Sequence, residues 1–394
     1  MSTQLLPARP PAASTSEVKP ARRGHLDQVD LVRVVTFSAV IAVHTISETS
    51  DPYNIGAGSL LSLLHFTRSV FFFLTGFVLV FTYRNRPLAA GKFVRRRLAL
   101  VGIPYLVWTL AYFGIAQVGA QPLTSGEAVS TLWEDVYRGI GWYHLYFLMV
   151  SMQFYVLFPL FMKVLRATRR YHALLLGGSL ALQVGVTAAL TYLPEPDPNS
   201  LLGQVWANEG TLLTSYQFYL VAGCVAAFHY ERFQGWIRDN SRLVLWLLLG
   251  SMVFAEGWYF TGVLSGVDPW AATGVLQPEM IPWFCAVVLG LYLLGSVWSE
   301  RRRPGGLSGR LVSAASTRSF GVFLVHPAFI WLFGRIGDGW FAQNLSPFAN
   351  TLATYAFAIA CSLVFVEVVI HTPLSKILIG REQLPLPSLH LARA

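Results

Sequence analysis

The sequence predicts an all-α fold: a polytopic membrane helix bundle of about ten transmembrane helices, with both termini cytoplasmic. Three observations carry this. Apolar types make up 54% of the 394 residues and charged types only 12%, where a soluble domain carries about 25% charged residues. Mostly apolar runs of about 20 residues, enough to cross a bilayer, recur along the chain. The basic residues gather in alternate loops.

Residues 1–25 are rich in Pro, Ala, Ser and Arg, as in "PARPPAASTSEVKPARRG". Such a segment buries too little apolar surface to order itself and has no apolar core of a signal peptide, so it reads as a disordered cytoplasmic tail. Residues 26–376 read as the transmembrane domain and 377–394 as a second cytoplasmic tail. The spans fall roughly at 30–48, 59–83, 98–118, 143–163, 172–192, 210–229, 242–262, 279–299, 318–337 and 350–371.

The loops between them alternate in charge. The second holds Arg84, Arg86, Lys92, Arg95, Arg96 and Arg97, and the fourth Lys163, Arg166, Arg169 and Arg170. The sixth holds Arg232, Arg238 and Arg242, and the eighth Arg301, Arg302, Arg303, Arg310 and Arg318. The loops "ETSDPYNIGAGS", "PEPDPNS" and "SGVDPWAATGVLQPE" have no Lys or Arg, and the third loop has Arg138. By the positive-inside rule the basic loops are cytoplasmic. The formal charge of +9 is thus an orientation signal, spread over short loops and unsuited to a nucleic-acid surface. Cys224, Cys285 and Cys361 lie apart with no CxxC spacing, so neither a disulfide framework nor a metal site is indicated. In the third loop Thr124 and Glu127 have capping-box spacing, and Leu132, Val136 and Ile140 repeat every four residues. That predicts a short amphipathic helix lying at the outer surface.

Several spans carry polar groups that lipid disfavours. Arg33 and His44 lie eleven residues apart in the first span. Eleven steps of 100° make three turns plus about 20°, so both project from one face, about 16 Å apart along the axis. The face then points into a wet protein interior; the plain alternative has Arg33 reaching the headgroups and His44 meeting water. Glu48, one turn after His44, has the spacing to orient the imidazole as well as the position of a solvated helix-end acid. His65 and Arg68 share a face of the second span, and Arg68 needs a partner, with Glu48, Glu256 and Glu367 as candidates. A structural ion pair and a substrate contact are both open for it. His144 opens the fourth span beside Trp142 and Tyr143, consistent with an interfacial belt. His326 precedes Pro327, consistent with a buried imidazole bonded to a carbonyl that the proline frees.

Taken in order, these segments resemble the membrane acyltransferase-3 family. The family's first helix carries an Arg, ten residues, then a His, as in "DLVRVVTFSAVIAVH"; "SVFFFLTGFVLV" is similar to its second helix, with Thr75 in the place of a serine. "HLYFLMVSMQFYVLFPLF" and "SFGVFLVHPAF" are similar to two later helices. There are departures: "KFVRRRLALVGIPY" has Ala99 and Leu100 where a later arginine is expected, and Glu367 lies further back from Pro373 than the pattern gives. No further domain accompanies these helices here, so the activity is expected within the membrane unit.

The resemblance implies a multi-pass cell-membrane O-acyltransferase. It implies a cytoplasmic acyl-CoA donor, no permanently bound cofactor, and a hydroxyl acceptor on a carbohydrate, glycolipid or other small molecule. The residues suit this chemistry. His44 is expected as general base or acyl acceptor, with Glu48 beside it. Arg33 is expected to hold the phosphate end of CoA, with Arg95, Arg96 and Arg97 as further contacts. Arg68, His144 and His326 are the expected substrate contacts. A transporter using intramembrane His, Arg and Glu as a substrate or proton path is the second reading. The sequence leaves the acyl chain, the acceptor and the oligomeric state open.

Overall fold

The structure, a computed structural model, describes residues 25–385. The expected tail at 1–25 therefore lies, but for its last residue, outside the described residues, as does 386–394. Sixteen α-helices follow one another, joined by turns and short 3₁₀ segments. The first eight are α1 Asp27–Thr49, α2 Ile55–Leu64, α3 Thr67–Tyr83, α4 Ala90–Ala116, α5 Ser125–Arg138, α6 Tyr146–Ala167, α7 His172–Tyr192 and α8 Leu201–Trp206. The rest are α9 Gln217–Phe228, α10 Tyr230–Asp239, α11 Ser241–Leu264, α12 Ile281–Arg301, α13 Leu307–Arg335, α14 Trp340–Asn344, α15 Pro347–Ile370 and α16 Ser375–Ile379.

The fold is all-helical, and among the described residues eight helical segments are long and apolar enough to cross a bilayer. They are α1, the α2–α3 pair, α4, α6, α7, α11, α12 and α15. The two other expected spans look different. The one at 210–229 is a shorter apolar stretch, Leu213–Phe228. The one at 318–337 falls in α13 as far as Arg335; α13 starts earlier than expected and carries Arg310, Arg318 and Arg335. Arg318, expected in a loop, lies within α13, where its guanidinium pairs with Glu367 on α15. The second expected span is also not continuous. It breaks at His65 and Phe66, where His65 ends α2 and its Nδ1 hydrogen-bonds the carbonyl of Thr273, 2.9 Å away.

Close approach of small residues holds the bundle. At the α3–α9 crossing, a Cβ on Gly223 would stand 2.0 Å from the Phe73 carbonyl oxygen, and one on Gly76 2.3 Å from that of Leu220. Only glycine permits backbones this close, as at small-residue membrane helix contacts. The core is rich in aromatic side chains, including Phe72, Phe77 and Phe158, each with no exposed surface. α1 is central: it packs on α13, α12 and α15, so both polar residues on its shared face meet protein. α5 begins with the expected capping box. Thr124 Oγ accepts from the Glu127 N–H at 3.3 Å, and the Glu127 carboxylate accepts from the Thr124 N–H at 2.9 Å.

Residues 377–385, the described part of the expected second tail, fold back onto the bundle. The Trp108 indole donates to the Leu378 carbonyl at 2.8 Å, and the Leu384 N–H donates to the Ile370 carbonyl at 2.9 Å.

Candidate active site

Two polar clusters lie along the shared face of α1, one at each of its marked residues. At Arg33, the guanidinium donates to Ser316 Oγ on α13 at 3.0 Å and stands 3.5 Å from Asp30. Ser316 Oγ in turn donates to Asp30 Oδ1 at 2.7 Å, and His25 also contacts Asp30. Arg33 is therefore held in place before anything binds. It lines a cavity of about 280 Å³ with Arg97, Arg381, Ser151, Tyr155 and Ser319. Arg95 and Arg96 do not line it and are exposed; Arg97 turns inward and lies over the rings of Phe93 and Tyr155. Leu100, where the resemblance leads one to expect an arginine, lines the same cavity.

At the other end, three histidines from three distant stretches of sequence meet. The His44 ring stacks on His326 with centroids 5.3 Å apart and lies 4.4 Å from the ring of Tyr143. The His144 ring stands edge-on to His326 at 5.5 Å and to Phe323 at 5.1 Å. His326 Nδ1 contacts the Phe323 carbonyl at 2.9 Å. Pro327 has no N–H to donate to that carbonyl four residues back, so the imidazole supplies the donor. A proton fixed on Nδ1 leaves the lone pair on Nε2, which has no hydrogen-bond partner among the described residues. Both ring nitrogens of His144 are likewise unpartnered.

Accessibility separates the three. His326 is 0% exposed and His144 1%, whereas His44 is only half-buried. His44 is thus the least buried histidine of this cluster. Beside it Glu48, Trp142, Tyr143, Pro327 and Arg335 line a second cavity of about 260 Å³. Glu48 is exposed and lines that cavity, and no hydrogen bond joins it to His44 among the described residues, as for the solvated helix-end acid.

Between the clusters stands a wall of phenylalanines. Phe37 packs on Phe71 at 5.0 Å, Phe71 on Phe147 at 5.2 Å and Phe147 on Phe323 at 5.5 Å. All four line the arginine cavity, and Phe323 also touches His144 and lies 6.1 Å from His326.

Arg68 departs from the expected grouping with His144 and His326. It lines a third cavity of about 530 Å³ with Trp206, Glu209 and Gln277. Its guanidinium lies over the Tyr146 ring at 5.3 Å. Among the described residues it has no ion pair. The carboxylates proposed for it are engaged elsewhere or turned away: Glu256 accepts from Ser59 at 2.6 Å, Glu367 pairs with Arg318 and His371, and Glu48 faces its own cavity. Ser316, Phe323 and Arg381 were missed by sequence reasoning. Asp30, three residues before Arg33, had the helical spacing that could have revealed it.

The apolar helices define a membrane-type bundle in which a histidine cluster and an arginine-lined cavity lie along one face of α1. The chain belongs to the acyltransferase-3 family: the family model described as an acyltransferase domain matches residues 26–367, nearly the whole chain. It is therefore a membrane acyltransferase. No curated protein and no solved structure matches it.

Proposed function

We propose that the protein transfers an acyl group from cytoplasmic acyl-CoA to a hydroxyl of a carbohydrate, glycolipid or other small acceptor at the outer side of the cell membrane. The observation that carries this is the half-open His44 within a histidine cluster, one phenylalanine layer from a cavity lined by arginines. The Lys and Arg alternation along the loops supports placing the Arg33 end at the cytoplasm. Arg33 and Arg97 hold the phosphates of the donor, for which a planar guanidinium suits better than an ammonium. The pantetheine arm follows α1 and brings the thioester past the phenylalanines to His44.

Transfer then follows one of two routes. On the first, His44 takes the proton of the acceptor hydroxyl as its oxygen attacks the thioester carbonyl. The tetrahedral intermediate collapses, the C–S bond breaks, and the imidazolium returns the proton to the CoA thiolate. On the second, a His44 nitrogen attacks the thioester carbonyl, the C–S bond breaks and the ring N–H proton passes to the CoA thiolate; the acceptor oxygen then attacks the acyl-imidazole, the C–N bond breaks and the hydroxyl proton returns to the imidazole. The neighbouring histidines position His44: stacking on His326, itself fixed by the Phe323 carbonyl, limits rotation of the His44 ring. The cavities beside Glu48 and Arg68 are the spaces for the acceptor.

The test is transfer of a labelled acyl group from acyl-CoA by purified protein in lipid, with product mass read by mass spectrometry. Release of free CoA with label on a hydroxylated acceptor supports the reading. Movement of an intact solute across proteoliposomes, with no acyl cleavage, would replace it with transport.

A further inference from the structure

The C-terminal segment does more than close the bundle. It places a third guanidinium, that of Arg381, in the arginine cavity with Arg33 and Arg97, and no carboxylate lines that cavity. The placement is specific. Gly380 has φ +62°, in the left-handed region, and a Cβ there would stand 2.3 Å from the Leu100 carbonyl oxygen. Ser375 Oγ donates to the Arg381 carbonyl at 3.0 Å, and the Trp108 and Leu384 bonds fix the turn on either side. None of these bonds uses the Arg381 side chain. The guanidinium is thus presented by its backbone, with no ion pair to satisfy it among the described residues. Burial, and then the positive charge of Arg33, hold its pKa below the ordinary arginine value. Asp30 opposes this, but it already serves Arg33, Ser316 and His25. Three guanidiniums thus line one cavity, only Arg33 has an acid beside it, and an anion with several charges would offset their mutual repulsion.

We infer that the turn after α16 completes a polyphosphate-binding site, with Arg381 contacting the same anionic group as Arg33 and Arg97. This rests on the donor reading above for the identity of the ligand, but the site itself is a claim about anion chemistry. It makes the residues after the last long helix part of the binding site.

The test is titration of full-length protein in lipid nanodiscs with coenzyme A and, separately, with inorganic pyrophosphate. Arg381→Ala is expected to weaken both roughly tenfold or more. Arg381→Lys should recover part, since a fork becomes a point charge. Gly380→Ala keeps the guanidinium but displaces it, and is expected to weaken both ligands as well. Thermal unfolding of each variant separates lost contacts from a lost fold. Unchanged affinity in a folded Arg381→Ala protein, with Arg33→Ala weakened, overturns the inference and leaves the donor reading standing. Pyrophosphate binding that depends on Arg381, with no binding of coenzyme A, upholds the inference and removes the donor reading. Binding of neither ligand by the unaltered protein overturns both.

Discussion

Removing Ser316 tests whether Arg33 is preorganised for its ligand. Ser316 Oγ accepts from the Arg33 guanidinium at 3.0 Å and donates to Asp30 at 2.7 Å, so it links α13 to α1. Arg33→Ala removes charge-assisted contacts to phosphate worth about 1.5–3 kcal/mol, a loss of about 10- to 150-fold in CoA affinity. Ser316→Ala leaves the charge but frees the side chain. Losing one ordinary hydrogen bond costs about 0.5–1.5 kcal/mol, or about 2- to 12-fold in affinity. The double variant decides the matter. If Ser316 acts through Arg33, adding Ser316→Ala to Arg33→Ala costs nothing further. The assay is calorimetry with a non-hydrolysable CoA analogue, each variant checked by size-exclusion profile. Full additivity of the two losses would refute the reasoning, as would unchanged affinity in a folded Arg33→Ala protein.

Phe323 is 5% exposed and closes the phenylalanine wall against His144. Phe323→Ala should lower stability by about 3–5 kcal/mol and raise donor hydrolysis relative to transfer, read with labelled acyl-CoA with and without acceptor; Phe323→Leu should do so less, and an unchanged ratio in folded protein counts against the wall. Glu127 titrates below the ordinary glutamate value because it accepts from the Thr124 hydroxyl and then from the Thr124 N–H. A depressed folded pKa gives support that is present above the unfolded pKa and lost as pH falls through the folded one. Amide protection at the start of α5, taken relative to the intrinsic exchange rate at each pH, should therefore fall on acidification through the carboxylate range, and less so in Thr124→Ala; equal pH responses would contradict the capping account.

What the sequence made legible was local. Arg33 and His44 share a face through helix arithmetic alone. The His326 bond to a carbonyl freed by Pro327, and the Thr124–Glu127 box, span three or four residues. Hydropathy found the eight long apolar segments. It missed the break at His65 because residues 59–83 read as one apolar run, and the partner stabilising the break, Thr273, is 208 residues away. Ser316 lies 283 residues from Arg33, and Arg318 reads as a loop cation until Glu367 meets it. Arg95, Arg96 and Arg97 look equivalent in sequence, but steps of 100° send only Arg97 to the cavity. Arg381 could not be found from pattern, since a turn and not a helix face aims it.

His44 is the group proposed to handle the acyl transfer, and single-variant turnover tests this most directly. Unaltered protein, His44→Ala, His144→Ala and His326→Ala are compared in lipid for transfer of labelled acyl groups, with CoA affinity and size-exclusion behaviour recorded for each. The predicted result is a loss of about 10²–10⁴-fold in rate for His44→Ala, with CoA affinity and fold retained, while the two buried histidine variants keep measurable turnover. Full turnover by a folded His44→Ala protein, or inactivity confined to His326→Ala, would contradict it.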